Sequence, residues 1–250
     1  MIILISPTKT MVENPNDTYC MSEFFEISKS IMKALSGSSI EGLMKLMKIK
    51  EPLATQNHER FSNFSFDGKG TSAILAYQGI QYKYMQPASF NKEERQYAQK
   101  HLRILSGLYG ILKPYDNIYP YRLEMQTKLS INEYKNLYAL WKPIISKYIM
   151  EEIQKSEEPY ILNLASNEYS KVLDEQCKMY MITISFKVIK EGIPKNEATQ
   201  AKIARGRMVH FLANKDVHTL DEIKQFHEDG YQYDETLSSV NEMVFVKNKR

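Results

Sequence analysis

Pro52 is the residue that most limits how this chain folds. It stands inside LMKLMKIKEPLATQN, Leu43–Asn57, where apolar residues recur at helical spacing on both sides of it. A proline within a helix removes a hydrogen bond and clashes with the preceding turn, at about 3 kcal/mol. One helix therefore does not run through the segment. The pattern predicts two: Ile40 to about Met47, capped by Ser38 or Ser39, and Pro52 to about Phe61. Pro52 suits the first helical position, where a missing N–H is not missed. Between the helices, Lys48 and Lys50 flank Ile49, so the break is a short basic elbow.

Elsewhere helices and strands alternate, but at irregular spacing. Ile2–Ile5 reads as a short buried strand ended by Ser6-Pro7. Ser22–Leu35 has helical periodicity and stops at Ser36-Gly37. DGKGTS, Asp67–Ser72, signals a turn before a strand at Ala73–Tyr77. NKEERQYAQKHLRILSG predicts a helix capped by Asn91, with Glu93 and Glu94 in its first turn and Gly107 at its end. Tyr109–Leu112 reads as a strand and 113–135 as a Tyr- and Pro-rich irregular stretch. A helix follows from Leu140 to about Lys155, with Pro143 in its first turn. Tyr160–Ser166 and Met179–Lys190 read as strands, and Asn196–Asn214 as a helix capped by Asn196. Leu220–His227 reads as a short helix and 242–247 as a last strand. No linker or internal repeat interrupts the chain. The expectation is a mixed α/β (α+β) fold: a single domain over 1–250, with a mixed β-sheet flanked by helices.

Bulk properties exclude several classes. The formal charge is only +3, so any nucleic-acid role must come from local charge placement. The two cysteines, Cys20 and Cys177, form no CxxC pair. A disulfide framework and a thiolate zinc site are therefore not expected, which suits a reducing cytosol. No apolar run approaches a membrane span, and MIILISPTKT has no charged region ahead of its short apolar run. HExxH, Glu-x-x-His and GxGxxG are absent, so neither a metal nor a cofactor is expected.

Five places carry polar chemistry. The elbow fits, in part, the helix-hairpin-helix pattern of hydrophobic-Pro-Gly-Ile-Gly-x-x-x-Ala. Leu46-Met47-Lys48-Ile49-Lys50-Glu51-Pro52-Leu53-Ala54 keeps the hydrophobic residue, the Ile and the Ala, with both glycines replaced. Such a hairpin lays backbone N–H groups against a phosphate, and glycine permits the close approach. Here lysine side chains would take over. The plainer alternative is two core helices with a solvated turn. KIARGRMVHF, Lys202–Phe211, holds Gly206 between arginines inside a helix, which signals close approach of a neighbour. Lys202 and Arg205 share a helix face, with Lys187 upstream. A solvated helix face explains such spread charges equally well.

ISPTKT offers Ser6, Thr8 and Lys9 past a strand end, where ligand loops lie in α/β proteins. Ser6-x-x-Lys9 also fits an acylating Ser–Lys pair, but its usual SDN and KTG partners are missing. LNLASNEYSK sets Asn163, Ser166, Asn167 and Glu168 after another strand, as cleft residues or as a helix cap. YPYRLEM puts Tyr119 and Tyr121 beside Arg122 and Glu124, as a stacking surface or a packed loop with one ion pair.

ILISPTKT, LRILSGLYGILKPYD, PYRLEM, LNLASNEY and KIARGRM occur in this order, and GYQYDETLSSVNEMVFVK closes the series. In these motifs the chain resembles the YaaA family of bacterial peroxide-stress proteins, along essentially its whole length. The resemblance implies a cytoplasmic DNA-binding protein that limits oxidative DNA damage and lowers free iron. It also implies a degenerate helix-hairpin-helix element, about 40–61, and a basic cleft. Only Lys48, Ile49 and Lys50 carry over to the hairpin. Lys9, Arg122, Lys187, Lys202 and Arg205 are the expected phosphate contacts. The expected partner is double-stranded or structurally distorted DNA, with no membrane and no protein partner. The alternative is an enzyme acting on a nucleotide, nucleobase or nucleic acid. Its candidates are Ser6, Lys9, Asn163 and Glu168, with Glu168 as acid/base.

Overall fold

The computed structural model describes residues 1–14, 20–66 and 70–248. Its main sheet has eight strands: β1 (Ile2–Ile5), β2 (Leu102–Ser106), β3 (Gly110–Leu112), β4 (Ile161–Leu164), β5 (Met181–Lys190), β6 (Ile193–Asn196), β7 (Gln232–Tyr233) and β8 (Glu242–Asn248). The order is β7-β8-β5-β4-β1-β2-β3, with β6 beside the second half of β5. β1, β2, β4, β5 and β8 are parallel, while β3, β6 and β7 pair antiparallel at the margins. β1, β2 and β4 are buried at every position. Both faces of these strands are covered, so their sequences are apolar runs rather than alternations.

Seven longer helices frame the sheet: α1 (Phe25–Ser36), α2 (Ile40–Met47), α3 (Glu51–Ser62), α4 (Ile80–Met85), α5 (Lys92–His101), α6 (Leu137–Gln154) and α7 (Ala198–Asn214). α6 covers the face on which Arg103 of β2 binds Glu152 with two bonds of 2.7 and 2.8 Å. α5 and α7 cover the other face and are tied together by Asn214 Nδ2 donating to Glu94 at 2.8 Å. α4 crosses α7 at Gly206, where a Cβ would lie 2.2 Å from the Gln81 carbonyl oxygen. The close neighbour signalled by that glycine is thus helix backbone.

Several elements differ from expectation. The helix capped by Asn91, which closes a capping box with Glu94, ends at His101 instead of Gly107. Leu102–Ser106 leaves it directly as strand β2. A strand buried on both faces shows no alternation, so nothing in the sequence separates it from the helix before it. Ala73–Ala76 is one helical turn rather than a strand. α6 starts at Leu137, capped by Asn136, which puts Pro143 inside the helix. Asn196 belongs to β6, and Glu197 precedes α7 without a side-chain cap. Asp116–Ile118, expected to be irregular, pairs with Thr71–Ser72. Of the turn expected at Asp67–Ser72, Asp67–Lys69 lie outside the described residues.

Around Pro52 the structure matches the expected break. α2 is capped by Ser39, which accepts from Gly42 N–H, and α3 starts one residue earlier than expected, at Glu51. Lys48 sits in the left-handed region at φ 52° and closes α2 through its N–H to Met44 O. Ile49 packs onto the core, while Lys48 and Lys50 are exposed.

Candidate nucleic-acid interface

YRLEMQTKLS, Tyr121–Ser130, alternates strictly. Tyr121, Leu123, Met125, Thr127 and Leu129 are buried, while Arg122, Glu124, Gln126, Lys128 and Ser130 are not. The segment is not one extended strand: it turns at Met125–Gln126, where Thr127 N–H donates to Glu124 O at 3.0 Å, and the alternation of buried and open side chains runs through that turn. Arg122, Glu124, Gln126 and Lys128 form one wall of a groove. The last turn of α2 with the elbow, Lys45–Lys48, forms another, and Lys9 completes the lining. The groove has a volume of about 430 Å³. Lys9 follows β1, which lies between its parallel neighbours β2 and β4. The groove therefore begins at a topological switch point, on the carboxyl side of the parallel strands.

Among the described residues, five cations, Lys9, Lys45, Lys48, Arg122 and Lys128, share this groove lining with one carboxylate, Glu124. Glu124 takes 2.8 Å from Lys9 Nζ, 3.2 Å from Arg122 Nη2 and 3.2 Å from Gln126 Nε2. Burial pushes its pKa up, but the bonds from Lys9 and Gln126 and the charges of Lys9 and Arg122 together hold it below the usual carboxylate range. Arg122 Nε is buried and has no partner among the described residues. Lys45, Lys48 and Lys128 form no ion pair among the described residues.

Of the elbow residues Lys48, and of the five expected cleft residues only Lys9 and Arg122, line this groove. Lys50 stands outside the groove lining as the N-cap residue of α3, and Ile49 anchors the elbow. Ser6 ties β1 to the loop after β4. Its Oγ accepts from Ser166 N–H at 2.8 Å, and its carbonyl accepts from Tyr82 OH at 3.0 Å. Asn163 is only 4% exposed and locks strand ends, accepting from Ala165 N–H at 3.0 Å and donating to Thr183 at 3.3 Å. Glu168 borders the groove by accepting from Gln126 N–H at 3.4 Å. Burial raises its pKa, and the Glu124 charge adds to the rise.

Lys187, Lys202 and Arg205 do not line this groove. Lys187 is close enough to Asp234 to help lower that carboxyl's pKa, after the hydrogen bonds from Thr236 and Leu237. Lys202 is exposed. Arg205 is half-buried, and burial lowers its pKa. Lys45, Lys128 and Gln126 are groove residues that the sequence reading missed. The period of two through Arg122, Glu124, Gln126 and Lys128 was the available signal. Among the described residues no group of three or more His, Cys, Asp or Glu gathers as metal ligands, and no helix is long and apolar enough to cross a membrane.

A family model described as peroxide stress protein YaaA matches residues 1–237. A UPF0246 protein of Clostridioides difficile strain 630 is 43% identical over 251 residues, covering 99% of this chain and 100% of the relative. A UPF0246 protein of Lachnoclostridium phytofermentans is 39% identical, covering 100% of this chain and 97% of the relative. One from Desulfitobacterium hafniense strain Y51 is 40% identical, covering 99% and 98%.

Proposed function

The chain belongs to the peroxide stress protein YaaA family, and from that premise we propose that it binds DNA through the groove lined by Lys9, Lys45, Lys48, Arg122 and Lys128. Membership gives it a role in the peroxide stress response. The finer reading is a cytoplasmic protein that limits oxidative damage to double-stranded or distorted DNA and lowers free iron. The observation that carries DNA binding is the gathering of five cations around one carboxylate in a chain whose total charge is only +3. Concentrated charge of that kind suits a row of phosphates.

The elbow supports the same reading. Lys48 supplies a side chain where a glycine hairpin would supply backbone. Among the described residues the groove lining contains no aromatic, which suits a grip on the sugar–phosphate chain. Lowered iron would follow from DNA binding or regulation.

The test is fluorescence anisotropy with labelled duplex, bubbled and single-stranded DNA over a salt series. Five groove cations predict a log–log salt slope of about −4 for duplex. Affinity that ignores salt, or only millimolar binding to all three, overturns the reading.

One observation favours the enzymatic alternative. Glu124 and Glu168 are bridged by Gln126, through Nε2 and N–H respectively, and their pKa values are pushed in opposite directions. Carboxyls separated in this way suit an acid/base pair, with Glu168 as the proton donor. Products formed from nucleotides or DNA by the native protein and lost in Glu168→Gln would establish it. No turnover by either protein would discard it.

A further inference from the structure

The three segments that line the basic groove continue into a second cavity of about 510 Å³. Glu13 follows Lys9, α3 follows the elbow, and Tyr119-Pro120 precedes Arg122. The two cavities share no lining residue, but each is lined by parts of the same three stretches of chain. Their chemistry differs. The second compartment holds Glu13, Glu59 and Arg60, so it lacks the positive excess that would draw a phosphate.

Its two walls are specialised. On one side, Gln56, Glu59, Arg60 and Asn63 stand at i, i+3, i+4 and i+7 of α3, a single helix face carrying two amides, a carboxylate and a guanidinium. On the other, Phe64 and Tyr119 meet with ring centroids 5.7 Å apart at 70°, making an aromatic corner. Tyr119 is held at both ends. Its OH donates to Phe66 O at 2.9 Å, and its N–H donates to Tyr109 OH at 3.1 Å. Aromatic rings and a row of hydrogen-bonding groups lining one cavity are the combination that recognises a base by its face and its edge. The volume is in the range of small-molecule sites.

We propose that this second compartment takes one nucleobase, unpaired or turned out of its stack, from a strand whose phosphates lie in the basic groove. The proposal rests on the DNA reading above and deepens it: phosphates and base are divided between the two cavities. The native chain then prefers DNA with a free base next to a continuous backbone.

The experiment uses the full chain and two labelled duplexes. One carries a single bulged nucleotide, and the other an abasic unit at the same position. Saturation-transfer NMR with free nucleosides runs in parallel. The bulged base should bind about tenfold tighter than the abasic unit, the scale of one stacked base. Gln56→Ala with Asn63→Ala, both at exposed positions, should reduce that ratio toward one without changing the salt slope. Equal, salt-dependent binding of the two duplexes overturns the base compartment and leaves the groove standing. Nucleoside signals that vanish in the double variant, with no DNA bound, support the compartment and overturn the groove. If neither DNA nor nucleosides bind, both readings fall.

Discussion

The basic groove and the cavity at the far edge of the sheet make opposite use of charge. The far cavity is larger, about 980 Å³ against about 430 Å³, and lies where α7 faces β8. Its cations are engaged. Arg207 stands 3.6 Å from Asp229 and over the Tyr84 ring, while Lys247 donates to Gln200 at 2.7 Å and lies over Tyr231. Glu197 at its rim pairs with Lys190. In the groove, one carboxylate faces five cations, and three of the lysines have no ion-pair partner among the described residues. Arg207 Nε, like Arg122 Nε, makes no hydrogen bond among the described residues, but opposite charges this close still offset each other and leave little field for a ligand. Like charges held near one another destabilise the fold until an anion arrives. Uncompensated charge, rather than cavity size, therefore marks the candidate site.

Charge reversal breaks this comparison most sharply. Lys45→Glu, Lys48→Glu and Lys128→Glu together should weaken duplex binding by on the order of a thousandfold at low salt and flatten the salt slope by about three. Lys187→Glu with Lys202→Glu, on the α7 side, should change affinity by about threefold or less, because a half-buried Lys187 and an exposed Lys202 that do not line the groove act weakly through salt. The same anisotropy titration reads both. Equal losses would mean that DNA wraps both regions, and that the groove has no special claim.

Glu124→Gln sharpens the comparison by removing the carboxylate that lines the groove and pairs with Lys9 and Arg122. Lys9 and Arg122 are then free for phosphate, and duplex affinity should rise severalfold with a steeper salt slope. Stability should move the other way. The folded carboxyl has a lowered pKa, so the native state favours its ionised form. That contribution is full above the unfolded pKa of about 4.3 and is lost as pH falls through the lower folded value. Urea denaturation should therefore find the variant less stable than the native chain at pH 7, with the gap closing below about pH 4. Glu168 has the opposite sign. Its raised pKa makes its ionised form unfavourable in the fold, a cost relieved as pH falls through its own folded value. A gap that does not close on acidification would show that Glu124 contributes by packing rather than by charge.

What was legible in the sequence follows from how local each signal is. Pro52 and Ser39 announce helix ends within a few residues, and the elbow lies where they put it. Leu102–Ser106 was hidden because a doubly covered strand repeats no polar position, and the helix before it ends without a glycine. Arg122, Glu124, Gln126 and Lys128 did carry a period of two. Tyrosines and prolines just upstream masked it as an irregular loop, and no partner strand pairs with that segment to make it a ladder. Lys45 and Lys128 looked like ordinary solvent-facing lysines. They become a site only because Lys45 lies at the end of α2 and that end faces residue 128. Convergence across more than eighty residues of chain is a property of tertiary structure. The resemblance of PYRLEM and ISPTKT to a family pointed to two segments that line the groove without saying that their side chains meet.

The elbow itself separates two ways of holding a phosphate, and Lys48→Gly distinguishes them at the smallest expected cost. Lys48 occupies a left-handed conformation, φ 52° and ψ 50°, in which a side chain is unfavourable by about 1 kcal/mol or more relative to glycine. Glycine should relieve that strain, partly offset by its greater freedom in the unfolded chain, and raise stability by up to about 1 kcal/mol. Lys48→Ala retains a Cβ and so controls for charge alone. If the lysine ammonium is the anchor, both variants should lose the same few-fold of DNA affinity and about one unit of salt slope. Glycine would then be the more stable protein and the poorer binder. If Lys48→Gly binds more tightly than Lys48→Ala, the backbone of the elbow reaches the phosphate once the side chain is gone. The two lysines would then be replacing a contact the fold can still make. Equal affinity of all three proteins would remove the elbow from the interface and leave Lys9, Arg122 and Lys128 to account for binding.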